Sequence, residues 1–393
     1  MAKVKLKSRF YILITVISVA VVVLLIVLLG NRGEGVTDMG EIRLELNTKA
    51  VLIRDEVCVS SEKFDRIIFS ANEGDSVAEG DFIASVFKWG YKDDILQAYL
   101  NVQQNILSLQ MELQGGAEDA ELSALNDSIL SYETQIRETV MGAGGRDLLE
   151  LEQELKGLLK QRGELLRGKI QANEALTALY NQEAERDAQL KEWKSDVYSS
   201  GSGVLSFYFD GYEQALSASK LELINADLVS NVLRGSTLKD ASSPDENYLY
   251  RITNVSHWYI AFVSDASDPQ RTIAGEQYTV VFDGHMDKPY TGVALEPAIE
   301  NGKVLNILEF NESIGGVISV RTANVVIKKD AQGVEVPLDS ITMVDGVPHL
   351  AVITGNEPTL IEVDVLASGG GYAIIRAKNA GDSIQAGQKY QKP

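Results

Sequence analysis

From residue 91 to residue 196 the chain contains no proline, and Leu, Gln, Glu, Ala and Lys dominate. That composition belongs to helix and coiled coil. Apolar residues fall at Tyr99, Val102, Ile106, Leu109 and Leu113, then at Leu122, Leu125, Ile129, Tyr132 and Ile136. They recur at Leu148, Leu151, Leu155, Leu158 and Leu165. Steps of three and four mark an a/d seam. The phase slips between Leu113 and Leu122, where Gly115 and Gly116 mark a break or hinge. Met141-Gly142-Ala143-Gly144-Gly145 divides the segment into two arms of about fifty residues, which points to an antiparallel helical hairpin. Each arm, if continuous, spans about 75 Å at about 1.5 Å per residue. A bundle of three helices, broken at 115 and at 143, is the alternative. Strand-like segments close on both sides favour the hairpin.

Those flanks are β-like. Residues 42–90 hold IRLEL and VLIRDEVCV, with Gly74 and Gly80 at turns. Residues 199–213, SSGSGVLSFYFDGYE, give a glycine turn and then alternating apolar residues. Residues 216–247 contain a short helical stretch. From Tyr248 onward, strands and turns continue through YLYRITN, WYIAFV, QYTVVFDG, GVISVRTANVVIKK, HLAVITG and YAIIRAK. The fold class is α+β, mainly β. A boundary near Val334-Glu335 separates a β-barrel over 248–334 from a smaller β-module over 335–393.

The N-terminus carries YILITVISVAVVVLLIVLL, Tyr11 to Leu29, uncharged and long enough to cross a bilayer as a helix. A cleaved signal has a shorter apolar core and a small-x-small cleavage site. Lys3, Lys5, Lys7 and Arg9 precede the run; Arg32, Glu34, Asp38 and Glu41 follow it. The expectation is a cytoplasmic basic tail over 1–9 and a single-pass anchor over 10–30. The N-terminus is then cytoplasmic and the rest extracytoplasmic, at the cell membrane.

With 56 acidic against 36 basic residues and a net charge of −20, the chain repels a phosphate backbone, so nucleic-acid binding is not expected. Cys58 is the only cysteine, so no intrachain disulfide forms. It lies on an apolar strand without a basic neighbour and reads as a small buried hydrophobe. Asp283, His285 and Asp287 would share one face of a strand, but DGHMDKP reads better as a polar loop than as a metal site. Gly201-Ser202-Gly203 and Gly369-Gly370-Gly371 do not open helices, which a phosphate cradle needs, and read as turns. No Ser-His-Asp set or paired-carboxylate signature stands out. No catalytic residue, metal or cofactor is expected, and the chain reads as a non-enzyme.

GDSVAEGDFIASV resembles the first half of a lipoyl or biotinyl domain, with Gly74, Val77 and Gly80 in its G-x-x-V-x-x-G spacing. Ser200 to Glu213, with Gly201 and Gly203, resembles the entry to the second half. The helical segment stands where the modified-lysine turn would be, so there is no cofactor arm. Two strands that end close together can accept two antiparallel helices that begin and end close together. The whole arrangement resembles the HlyD-like membrane fusion proteins, or periplasmic adaptor subunits. GEQYTVVFDG at 275–284 and EVPLDSITMVDGVPHLAVI at 335–353 extend the resemblance, with Ser340 where alanine is usual.

The resemblance implies a lipoyl-like barrel-sandwich domain split over 42–90 and 197–215, with the hairpin of 91–196 inserted. A connector over 216–247, the β-barrel and a membrane-proximal module follow. It implies an adaptor that links a transporter permease, ABC-type or proton-driven, to partners outside the membrane, with copies associating in a ring. Met141, Gly142, Gly144, Gly145 and Arg146 would form the tip that contacts a partner. Adaptors that dock on outer-membrane ducts carry an arginine, a leucine and a serine at helical spacing there. RETVMGAGGRDLL lacks that pattern, which leans the resemblance toward Gram-positive members. The alternative role is a cell-envelope scaffold, for instance at a division site, without transport.

Overall fold

The computed structural model describes residues 33–115, 119–236, 247–355 and 357–392. The basic tail, the apolar run Tyr11–Leu29 and Gly116 lie outside the described residues. Among the described residues no helix is long and apolar enough to cross a membrane.

In chain order the first strands are β1 (Glu34–Val36), β2 (Asp38–Ser61), β3 (Phe64–Phe69), β4 (Ser76–Val77) and β5 (Phe82–Lys88). Four helices follow: α1 (Asp93–Gln114), α2 (Ala120–Val140), α3 (Leu148–Lys169) and α4 (Glu174–Trp193). Then come β6 (Lys194–Tyr198), β7 (Gly203–Ser206), α5 (Ala226–Leu233), β8 (Asn247–Asp265), β9 (Gln277–Phe282) and β10 (His285–Ala294). The remainder is β11 (Ala298–Glu300), β12 (Lys303–Phe310), β13 (Thr322–Pro337), β14 (Ile341–Val344), β15 (Val347–Thr354), β16 (Glu357–Gly369), β17 (Tyr372–Ala377) and β18 (Lys389–Gln391).

The chain divides into two compact units. Within the described residues, one takes in 33–55, 214–236 and 255–392; the other takes in 56–213 and 247–254.

In the first unit β13 is the spine. One edge pairs with β2, from Thr322 opposite Val51 to Glu335 opposite Asp38. The other edge pairs first with β9, Val325 opposite Phe282, and then with β17, Val334 opposite Ile375. Two apolar cores form along it. The first gathers Trp258, Phe282, Tyr290 and Phe310 with Leu44, Leu52 and Ile327. Trp258 stacks on Phe310 with centroids 4.2 Å apart, and Tyr290 stands edge-on to Trp258 at 5.3 Å. Their polar ends are satisfied: Trp258 Nε1 donates to the Glu312 carbonyl at 2.9 Å and the Tyr290 hydroxyl to the Ile314 carbonyl at 2.7 Å. The second core gathers Val336, Leu350, Val352, Val363, Ile375 and Tyr390. Ser340, buried beside it, turns its hydroxyl onto the Pro337 carbonyl at 2.5 Å, which lets a serine stand inside an apolar module. β1 pairs with β18, Glu34 opposite Gln391.

The sequence expectation puts residues 42–55 in the split sandwich. The structure instead lays residues 38–51 along β13, and the sandwich unit starts at Glu56. Alternating IRLEL suits any half-buried sheet, so its partner is set by a pairing hundreds of residues away.

In the second unit β3, β5 and β6 form one sheet, with Ile67 opposite Val86 and Val86 opposite Ser195. β7 bridges β4 and the first part of β8, with Leu205 opposite Ile252. Ile83, Ala84, Val86, Leu205, Leu249, Tyr250 and Ile252 form the core between them. Phe69 and Phe207 meet in it at 4.3 Å.

The helical insertion leaves from β5 and returns to β6, which are neighbours in the sheet. α1 packs on α4, and α2 packs on α3. The insertion is thus a hairpin, but neither arm is the continuous rod that a 75 Å span requires. One arm breaks after Gly115, which takes the left-handed conformation (φ 67°) that ends helices readily in glycine. The other breaks at residues 170–173, where no glycine signals it. Among the described residues the insertion holds four helices, where the bundle alternative has three. Each later helix has its own N-terminal cap: Asp119 accepts from the Leu122 amide, Asp147 from Glu150 and Asn173 from Leu176.

Candidate functional site

The two half-motifs meet. Val77 lies opposite Gly203, and Ser76 opposite Val204. The Gly74 amide donates to the Leu205 carbonyl at 3.0 Å, and the Leu205 amide returns to the Asp75 carbonyl at 2.9 Å. On the other side of the turn the Gly80 amide donates to the Ser199 carbonyl at 2.9 Å, and the Ser199 amide to the Asp81 carbonyl at 2.7 Å. Residues more than a hundred positions apart are laced into one seam. Gly74 and Gly80 both have φ +88°, the left-handed region that glycine enters without cost. Gly203 is needed for a different reason: it lies against the backbone of Thr253 on β8. Gly201 has open space around it.

Behind this seam lies an ion cluster. Arg251 Nη1 is 2.9 Å from Glu56 Oε1 and 3.4 Å from Glu213 Oε1, and all three side chains are buried. Glu213 also accepts from the Asp210 amide at 2.7 Å, and the Tyr208 ring lies 6.0 Å from the guanidinium. The cluster ties β2, β8 and the segment after β7 together. Sequence reasoning did not single out Glu56 or Arg251. The available signal was an acid inside VLIRDEVCV and a base inside YLYRITN, charges that an apolar strand tolerates only when paired. Cys58 is half-buried nearby. Burial, with the charges of Glu213 and Glu56, pushes its thiol up to about 12, so it is an inert thiol.

At the hairpin tip α2 ends at Val140, and the amides of Ala143 and Gly144 both donate to the Glu138 carbonyl. Gly142 has φ +78°. Gly144 sits against Thr139, leaving no room for a side chain, whereas Gly145 is open. Arg146 is turned back on its own arms. It reaches Glu154 at 2.9 Å and Glu150 at 3.3 Å, and its guanidinium stands 5.8 Å from the Tyr132 ring. Hydrogen bonds to Tyr132 and Glu154 raise its pKa further. The large apolar side chains the tip presents to solvent are Val140 and Met141, 69% and 76% exposed. Tyr11 and Leu29, the ends of the expected anchor, are outside the described residues.

Asp283 and Gly284 form the two-residue turn between β9 and β10, and His285 opens β10 opposite Phe282. Asp283 borders an open groove of about 570 Å³ lined also by Lys49, Val281, Met286 and Asn324. Among the described residues no group of three or more His, Cys, Asp or Glu is placed to hold a metal ion.

Residues 56–243 match the family described as "RND related, barrel-sandwich hybrid domain". The match begins at the same residue as the second unit. No curated protein matches the chain. Among solved structures the chain is similar to ZneB from Cupriavidus metallidurans at 15% identity, with 91% of each chain covered and a TM-score of 0.33. It is similar to MacA from Actinobacillus actinomycetemcomitans at 12% identity, covering 91% of this chain and 98% of that one, TM-score 0.34. It is also similar to the membrane fusion protein Spr0693 from Streptococcus pneumoniae R6 at 11% identity, covering 72% and 98%, TM-score 0.27. The laced half-motifs, with the helical hairpin inserted between them, thus form a barrel-sandwich hybrid domain of the RND-related kind over residues 56–243.

Proposed function

We propose that the protein is a membrane-anchored, extracytoplasmic adaptor that joins a transporter permease, ABC-type or proton-driven, to partners outside the membrane. The observation that supports this most is the seam of Gly74, Val77, Gly80 and Gly203, which closes a small β-domain across the base of an inserted helical hairpin. A closed β-base carrying an inserted helical arm suits holding and reaching. In this reading the apolar run Tyr11–Leu29 anchors the chain with its N-terminus in the cytoplasm. β-modules of neighbouring copies pack in a ring, and the hairpins project from it. Val140 and Met141 give the tip an exposed apolar contact.

Cross-linking in native membranes, followed by purification and mass spectrometry, tests the reading. A permease recovered in stoichiometric amount, with cross-links between hairpins of different copies, is the expected result. Recovery of wall-building or division proteins without a permease would replace the adaptor by an envelope scaffold.

A further inference from the structure

The outer helix pair, α2 with α3, does not continue the line of the inner pair, α1 with α4. At the elbow Arg167, near the end of α3, pairs with Glu183 in the middle of α4. Its guanidinium lies 4.6 Å from the centre of the Tyr180 ring. In a straight arm, residues 167 and 183 would stand about 24 Å apart at about 1.5 Å per residue, beyond the reach of an ion pair. Further out, Gln153 Nε2 on α3 donates to the Ser70 carbonyl, just beyond β3, at 2.6 Å. A residue one and a half turns into α3 from the glycine tip therefore touches the β-domain at the insertion's base. The hairpin is doubled back on itself.

Two features make this fold a reversible one. Each helix pair is complete alone. Val102 and Ile106 pack with Leu176 and Leu179 in the inner pair. Leu122, Ile129, Leu151 and Leu166 are the buried residues of the outer pair. The breaks lie side by side, with Lys169 at the end of α3 pairing with Asp119 at 2.7 Å, and Asp119 and Asn173 cap the helices that start there. No helical turn has to melt for the elbow to change its angle. The contacts that draw the outer pair back are polar and mostly solvent-facing: Arg167 with Glu183 and Tyr180, and Gln153 with Ser70. Exposed contacts of this kind are each worth little more than thermal energy.

We propose that the hairpin is a jack-knife. Its folded form is held by the Gln153 and Arg167 contacts, and it opens at the breaks that follow Gly115 and span residues 170–173 into a single extended hairpin of roughly twice the reach. Opening would carry the Val140–Met141 tip from the side of the β-domain to the far end of a rod. This goes beyond the adaptor reading and does not depend on it.

Double electron–electron resonance on the purified full chain in detergent tests the proposal. Cys58→Ala removes the native thiol, and nitroxides are placed at Lys160→Cys on α3 and Lys191→Cys on α4, both solvent-exposed. A straight arm separates them by about 45 Å, whereas a folded one holds them under about 30 Å, from the helix rise and the spacing of packed helices. The expected result is a dominant short distance in the parent. Adding Gln153→Ala and Arg167→Ala then shifts at least half of the population to the long one. A short distance that the two substitutions leave unchanged overturns the hinge. A parent that shows only the long distance overturns the folded form. Circular dichroism of the variant, unchanged in helix content, separates opening from unfolding.

Discussion

Gly203 lies so close to Thr253 that a methyl group on its Cα would stand 2.5 Å from the Thr253 carbonyl oxygen and 2.7 Å from Ile252 Cγ2. The glycine exists to let β7 approach β8 at the point where the split domain closes. Gly203→Ala therefore forces backbone apart and should cost about 2–3 kcal/mol in chemical denaturation. Gly201→Ala, two residues away in open space, should change stability by less than about 0.5 kcal/mol. Equal effects at the two sites would show that the seam is not as close as described.

The buried cluster of Arg251, Glu56 and Glu213 makes a second prediction. Arg251→Met leaves two carboxylates buried without their cation and should destabilise the sandwich unit by about 3–5 kcal/mol. Combining it with Glu56→Gln should cost less than the two single changes added, because the second removes one of the stranded charges. Urea titrations of the three variants give the coupling directly. Strict additivity would mean the pair is not in contact.

Cys58 titrates late. Its thiol is pushed up to about 12 by burial and by the neighbouring Glu213 and Glu56, against an ordinary value of 9.0. The folded state thus holds this proton above pH 9 while the unfolded chain releases it. The associated stability is complete below about pH 9 and declines as pH rises from 9 toward 12. At pH 8 the native thiol should react with an aromatic disulfide reagent at least about tenfold more slowly than in denaturant. Cys58→Ala should flatten the alkaline decline.

At the hairpin tip the three glycines are not equivalent. Gly142→Ala strains a left-handed residue by about 1 kcal/mol. Gly144→Ala drives a methyl into Thr139 and should loosen the tip, while Gly145→Ala should be silent. Met141→Glu leaves the backbone alone and charges the exposed apolar contact. It should lower permease recovery in membrane cross-linking with thermal stability unchanged. Undiminished recovery would move the partner contact away from the tip.

The local signals of the sequence were strong where one periodicity or one turn decides the outcome. The a/d steps located the helices, and Gly74, Val77, Gly80 and Gly203 located the seam, because left-handed turns and close approaches demand glycine. What was not legible depends on distant partners. Residues 170–173 break a helix without glycine or proline, since Asn173 caps the next one from inside a helix-favouring stretch. Residues 38–51 joined β13 rather than the sandwich because alternation specifies a face, not a neighbour. Arg251 and Glu56 look like ordinary charges until two strands place them 2.9 Å apart.

The pairing of Gly80 and Asp81 with Ser199 bears on how such a chain could change over generations. Joining the ends of a floppy loop costs entropy that grows only with the logarithm of its length, about 0.6 kcal/mol for each doubling. Here even that growth is suppressed, because two antiparallel helices deliver their ends to β5 and β6 already side by side. Heptads can be gained or lost in matched pairs without disturbing the β5–β6 pairing, although they would move the Gln153–Ser70 contact of the folded arm. The seam is a socket that can hold arms of different lengths.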